Sequence, residues 1–371
     1  MQINMEVKPN LRFRAFYLIF IIYSAQTGVG VMGLPRYIFK EAHRDSWISI
    51  LIAYVFMIIL LYVMFLILKQ YESADIFGIQ VDVFGRFFGT ILGSFYIVYS
   101  IAGVASVLLT YIEVLKVFLH PVLPAFVAAF FFLILIGYTV LGGIRIVVGV
   151  TFIFILLMQW VYIFMYDPIS KMDLYHFLPM FQTSIPDLLR GAKATSFSLS
   201  GLELLLIIYP FIENKEKAKL PAFIGLTYTI FVILTTTVMA IGYFSPQDIE
   251  EVDWSVLSLF KSLSYSFLER LDYIVVGMWI FIVIPNMCLH LWAATYGIKR
   301  LFKVRQKTAL YGVMCLIYVL VFFVNTNIKI NFLTDTVAKV SIWLVFVYPF
   351  ILLPLVLLKK KWRKAKGSAP E

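Results

Sequence analysis

Two short runs of small and hydroxyl-bearing residues interrupt long apolar stretches of this chain. One is Thr27-Gly28-Val29-Gly30 and the other is Ser198-Leu199-Ser200-Gly201. Inside hydrocarbon an unpaired backbone N–H or C=O is costly, so unwound backbone survives there only where protein or a watery cavity receives it. Gly28 and Gly30 carry no side-chain penalty for non-helical torsions, and Pro35 removes a further helical donor. The amides freed at the start of the following half-helix can bind a carboxylate, with the positive end of the dipole aimed at it. Glycines alone also serve tight helix packing. A matching break in a second helix favours a solute site between the two, as interrupted helices in two halves of a chain do in transporters. Thr27, Gly28, Val29, Gly30, Ser198, Leu199, Ser200 and Gly201 are therefore candidate binding residues, and Gln26 flanks the first break.

The second break has local logic of its own. Ser200-Gly201-Leu202-Glu203 is spaced as a capping box, with Ser200 capping a helix start and Glu203 reaching back to the Ser200 amide. Glu203 also suits a second role at mid-membrane, meeting a ligand ammonium or carrying a proton. Glu113 is the other acidic candidate for a proton or ion path, although its spacing from Lys116 also suits a self-neutralising pair. Asp335 and Lys339 are spaced for a structural pair. Asn286, beside Pro285, and Tyr96 with Ser100 on one helical face complete the candidates for the cavity wall. The run Gly28 to Gly33 fits the dinucleotide pattern G-x-G-x-x-G, but that pattern needs a preceding strand and a βαβ unit, so the match is coincidental here.

Composition sets the elements that must position these residues. Of 371 residues, 62% are hydrophobic and 14% charged, against about 25% charged in a soluble domain. This is a polytopic membrane chain, all-α in class. Ten apolar spans are expected, at 15–38, 46–68, 87–117, 125–141, 144–166, 190–212, 220–244, 271–298, 308–325 and 333–358. They divide into five-helix halves, 15–166 and 190–358, within a single membrane domain 1–371. An odd number of spans per half makes any duplication inverted, with broken helices first and sixth. The segments 167–187 and 245–272 are expected to be long loops, the second acidic.

The net charge of +10 sits largely in membrane flanks, namely Lys299 to Lys307 and a basic tail over 359–371. Such flanks face anionic lipid and the cytoplasm, which excludes nucleic acid as a partner and places both termini inside. Cys288 and Cys315 fall in separate spans and suit neither a disulfide nor a metal. The polar arm before Ala15 leads into the first span without a cleavage pattern, so that span is expected to stay. Four histidines without metal spacing, and no nucleotide loop, imply no cofactor, no metal and no enzyme.

The chain resembles the spore-germination permeases, the B subunits of nutrient germinant receptors in endospore-forming bacteria. The resemblance is carried by the run from Gln26 to Arg36, by Tyr111 to Lys116 with its Glu113, by Ser200-Gly201-Leu202-Glu203, by Tyr209-Pro210-Phe211, and by Leu291 to Phe302 with the basic tail. That family is similar to the amino acid–polyamine–organocation transporters with their LeuT-like 5+5 inverted repeat. The resemblance implies residence in the spore inner membrane, partnership with A and C subunits, and sensing of a small nutrient of amino acid or sugar class between breaks one and six. Spans three and eight would wall the site, and Glu113 and Glu203 match acidic positions of the family. Sodium-coupled relatives carry hydroxyls in span eight, where this chain offers only Thr295. Proton-coupled relatives can use a lysine in span five, which has none here. A receptor that binds without pumping fits that absence best. A proton-coupled permease and a water or ion conduit are the other readings.

Overall fold

The computed structural model describes residues 2–261 and 270–365, so the end of the basic tail and part of the acidic loop lie outside the described residues. The chain is all-helical. Among the described residues β pairing is limited to two isolated bridges, Asn4 with Ala74 and Phe13 with Ile212. In order, the helices are α1 (Leu18–Gln26), α2 (Leu34–Ala42), α3 (Ser46–Lys69), α4 (Ile76–Phe118), α5 (Ala125–Leu141), α6 (Ile144–Met158), α7 (Tyr166–Ser170), α8 (Ile185–Ser196) and α9 (Glu203–Ile208). There follow α10 (Lys219–Tyr243), α11 (Pro246–Glu251), α12 (Ser255–Lys261), α13 (Leu271–Met278), α14 (Ile280–Phe302), α15 (Gln306–Phe323), α16 (Asn327–Ser341) and α17 (Tyr348–Ala365).

Seven helical rods among the described residues are long and apolar enough to cross a bilayer. The three remaining apolar stretches of the sequence fall short for identifiable reasons. The first is cut between α1 and α2, the sixth between α8 and α9, and α5 has only 17 residues. The third stretch runs longer than 87–117: α4 begins at Ile76, capped by Asp75, whose carboxylate accepts from the Gly78 amide at 2.7 Å. It bends at Gly85, whose φ of 79° only glycine adopts readily. The last stretch contains a π-helical segment, Ile342–Val347, between α16 and α17. Tyr96 of α4 donates to the Leu344 carbonyl within it at 2.9 Å, which satisfies backbone that a π turn leaves loose.

Lipid is as apolar as leucine, so close backbone approach and hydrogen bonds must hold these helices together. Small residues provide that approach. A Cβ on Gly225 of α10 would lie 2.7 Å from the Ile19 carbonyl of α1, and one on Gly191 of α8 would meet Ser49 and Ala42. Ser49 Oγ donates to the Leu188 carbonyl at 2.9 Å across the same contact. α14 lies along α4 and touches α1, α5 and α6, so it spans the core of the bundle.

Both expected loops carry structure. Asp45 accepts the amides of Phe181, Gln182 and Thr183 at 2.8–3.0 Å, clamping the 167–187 segment over the end of α2. The acidic segment contains α11 and α12, which pack on α2. Arg36 pairs with Asp253 and donates to the Glu250 carbonyl, and Asp253 O sits 2.6 Å from where a Gly33 Cβ would stand. Two pairings expected from spacing do not form: among the described residues neither Glu113 with Lys116 nor Asp335 with Lys339 makes an ion pair within 4 Å.

Candidate functional site

The first break starts at Thr27, which leaves helical geometry at φ −96°, ψ 111°. Its amide and hydroxyl both return to the Tyr23 carbonyl, at 2.8 and 2.6 Å, and so close off α1. The carbonyls freed by the break are taken by the neighbouring helices. Asn286 Nδ2 donates to Ser24 O at 2.8 Å and to Ala25 O at 3.0 Å, and Trp279 Nε1 donates to Gly28 O at 3.3 Å. The donors are treated differently: among the described residues the amides of Gly28, Val29 and Gly30 have no hydrogen-bond acceptor. The chain then passes through a single 3-10 turn, Gly30–Met32, into α2, with Pro35 in its first turn where no donor is needed.

The second break closes on itself. After the 3-10 turn at Phe197–Leu199, Ser200 is extended and Gly201 adopts φ +117°, a conformation open to glycine alone. Glu203 Oε2 accepts the Gly201 amide at 2.8 Å, so the reach-back lands one residue beyond the Ser200 amide that the capping-box spacing implies. The extra residue is the strained glycine, which turns its own N–H toward the carboxylate. A Cβ on Gly201 would lie 2.5 Å from the Ala25 carbonyl, so the two breaks touch backbone to backbone. Gln26 Nε2 donates to the Leu199 carbonyl at 3.1 Å and ties them again.

Four buried side-chain atoms without a hydrogen-bond partner gather on the elements that meet here: Ser24 Oγ, Gln26 Oε1, Glu203 Oε1 and His290 Nδ1. An unpaired buried polar atom costs about 1–3 kcal/mol, and Gln26 and Glu203 are the two residues whose other polar atoms already engage the second break. The backbone is accessible here: Gly30 keeps exposed surface, and Gly28 and Ser200 partial surface, among neighbours that are otherwise buried. A Cβ on Gly30 would meet Ser198 Oγ at 3.2 Å, so Ser198 packs closely beside the first break. Val29 and Leu199 point into the core instead, at 1% and 0% exposure, and line the site only through backbone.

Tyr96 is buried and its hydroxyl is committed to Leu344, so it presents its ring. Ser100 is buried one turn along α4. The neighbouring Tyr99 lies within electrostatic range of Glu203 and hydrogen-bonds Ser200. Glu113 belongs elsewhere. It lies about 21 Å of helix beyond Tyr99, in a separate cavity of about 300 Å³ with Asp253, Trp254, Lys261, Arg270 and Asn327. Sequence reasoning missed Ser24, Tyr99, Trp279 and His290 as site residues. Trp279, Asn286 and His290 are spaced by seven and four, one face of a helix, and that face was the signal available.

The chain matches the family model described as spore germination protein over residues 12–331. It belongs to the spore germination permease family. Spore germination protein GerQB of Bacillus cereus is 31% identical over 95% of both chains. Spore germination protein A2 of Bacillus subtilis is 22% identical over 95% of this chain and 97% of that one. Among solved structures it is similar in fold to Mhp1, a nucleobase-cation-symport-1 transporter, with a TM-score of 0.61 at 11% identity over 95% of this chain and 80% of that one. A manganese transporter of Eremococcus coleocola gives the same TM-score at 10% identity, over 100% and 92%. The germination permease is thus an integral membrane protein of transporter fold, and these relatives are germination proteins and transporters rather than enzymes.

Proposed function

We propose that this germination permease is the nutrient-sensing B subunit of a germinant receptor and that it binds an amino acid between its two broken helices. The observation that carries the proposal is the pairing of opposites across the breaks. Unpaired amides at Gly28, Val29 and Gly30 suit a carboxylate, and unpaired oxygens on Glu203 and Gln26 suit an ammonium. A sugar would use the same acceptors but leave the amides without an anion, so the amino acid class is favoured. Ser198, Ser200, Tyr99 and the ring of Tyr96 would surround the side chain.

In this reading the broken and short apolar segments complete ten spans in a 5+5 inverted repeat, halves 15–166 and 190–358, in the spore inner membrane. Both termini face the spore core, and the A and C subunits receive the signal. Binding shifts the bundle only if the nutrient prefers one conformation. The acidic segment on Arg36 and Gly33 is placed to follow such a shift, since it rests directly on the half-helix beyond the first break. Sensing without coupled transport is supported by the 271–298 span, whose one small hydroxyl, Thr295, stands about 13 Å of helix beyond Asn286, away from the first break. A second reading, a water path through the unpaired atoms of Ser24, His290 and Glu203, rests on the same cluster.

The test uses spores lacking the gene, complemented with wild type or Glu203→Gln, and follows loss of refractility across an amino acid panel alongside labelled uptake in growing cells. Blindness to particular amino acids with uptake intact supports the sensor. Lost uptake with normal germination would make the protein a permease. Altered water entry at unchanged nutrient specificity would make it a conduit.

A further inference from the structure

A second, larger cavity of about 500 Å³ opens at the end of the bundle that carries the N-terminal arm. The arm forms its roof. Met5 N bonds to Ser73 O at 2.9 Å, Arg12 Nε to Val7 O at 2.9 Å, and Arg300 Nη2 to Gln2 O at 2.5 Å, so the arm is tied down rather than loose. The floor is an aromatic stack in which the Trp292 and Tyr296 rings lie 5.0 Å apart and nearly parallel, with Phe211 edge-on to both. Basic residues line the cavity from three separate elements, all but Arg300 exposed: Lys8 from the arm, Arg86 from just past the α4 bend, and Lys299, Arg300 and Lys303 from the end of α14. Glu6 is the one carboxylate among the lining residues. Arg300 is paired with the buried Asp75 at 2.8 Å, whereas Lys8, Arg86, Lys299 and Lys303 make no ion pair among the described residues.

Basic residues in the last turn of α14 complement its dipole, and flanking cations at a membrane surface need no ligand. Neither reason accounts for Lys8 and Arg86 converging from other elements on a walled space with an apolar floor. Four unpaired cations around one cavity repel one another, and a multiply charged oxyanion relieves that repulsion through charge-assisted hydrogen bonds. The remaining volume, lined by Val7, Leu11 and Trp292, accommodates an organic body attached to the anion.

We propose that this cavity binds a phosphate group, carried either by a phospholipid or by a soluble organic phosphate. The occupant would sit against the Arg300–Asp75–Tyr296 contact, in which Tyr296 Oη donates to Asp75 at 2.5 Å, and would hold the arm against the aromatic floor. This inference does not depend on what binds between the broken helices.

The test uses the full-length protein in phosphatidylcholine nanodiscs, titrated with inorganic phosphate and with glycerol phosphate at ionic strength held constant with chloride, and reads the thermal denaturation midpoint. A saturable rise is expected, with affinity about tenfold weaker in Lys299→Gln/Lys303→Gln and severalfold tighter in Glu6→Gln. A midpoint raised only in phosphatidylglycerol-containing discs, and reduced by the same double variant, assigns the phosphate to lipid. Should the double variant not fold, Glu6→Gln on the exposed arm decides alone, because added phosphate or phosphatidylglycerol must act more strongly on it than on wild type. No rise from either source, or a rise of equal size in wild type and variants, overturns the proposal.

Discussion

The two broken helices answer the same problem in opposite ways. At the first, neighbouring helices take the freed carbonyls through Asn286 and Trp279, and the amides of Gly28 to Gly30 are left as donors. At the second, Glu203 takes the Gly201 amide, and what is left over is an acceptor, Glu203 Oε1. One break therefore presents positive backbone and the other a carboxylate oxygen. In the proposed reading this difference supplies both ends of an amino acid with a partner and needs no lysine or arginine.

The glycines sharpen the comparison, because they do different jobs. Gly201 is structural. Replacing it with alanine forces a Cβ against the Ala25 carbonyl at a backbone conformation reserved for glycine. We expect a loss of about 3 kcal/mol or more, seen as a large fall in the thermal midpoint of the detergent-solubilised protein. An unchanged midpoint would contradict the backbone contact between the breaks. Asn286→Ala comes next, leaving the Ser24 and Ala25 carbonyls without their donor, at about 1–3 kcal/mol. The same melting experiment reads it.

Glu203→Gln separates fold from function. The amide oxygen still accepts from Gly201, so stability should change by about 1 kcal/mol or less. Half-maximal germination should need at least about tenfold more nutrient, since an ammonium loses its charged partner. Gly28→Ala is the smallest change. Its Cβ meets Asn286 and Val107 only at 3.8 Å, ordinary contact distance, and stability should stay within about 0.5 kcal/mol of wild type. A large fall there would mean that the first break is as tightly packed as the second.

The positions of both breaks were legible from sequence because glycine and serine stand out in apolar spans. The strain at Gly201 was not, since a positive φ depends on where the α9 backbone must go to meet Ala25. The capping-box spacing correctly tied Glu203 to the start of α9 but missed its register by one residue for the same reason. Asn286 was legible as a polar residue at mid-membrane, but its partners are backbone carbonyls, which carry no sequence signature. His290 and Trp279 share its helical face, and only the geometry of the first break reveals what that face serves. Glu113 and Glu203 looked alike as acidic residues in spans. Depth along α4 is what separates them, and the 300 Å³ cavity around Glu113 draws on α12 and α16, far away in sequence.

The most direct test of the central claim fills the space in front of the first break. Gly30 keeps exposed surface beside Ser198, so Gly30→Trp would cover the position proposed for the nutrient. Spores lacking the gene and carrying wild type or Gly30→Trp at equal membrane abundance would be followed for refractility loss across the amino acid panel. Wild type is expected to restore the response to particular amino acids, and Gly30→Trp spores are expected to be blind to them. Full nutrient response in Gly30→Trp would contradict a site between the broken helices.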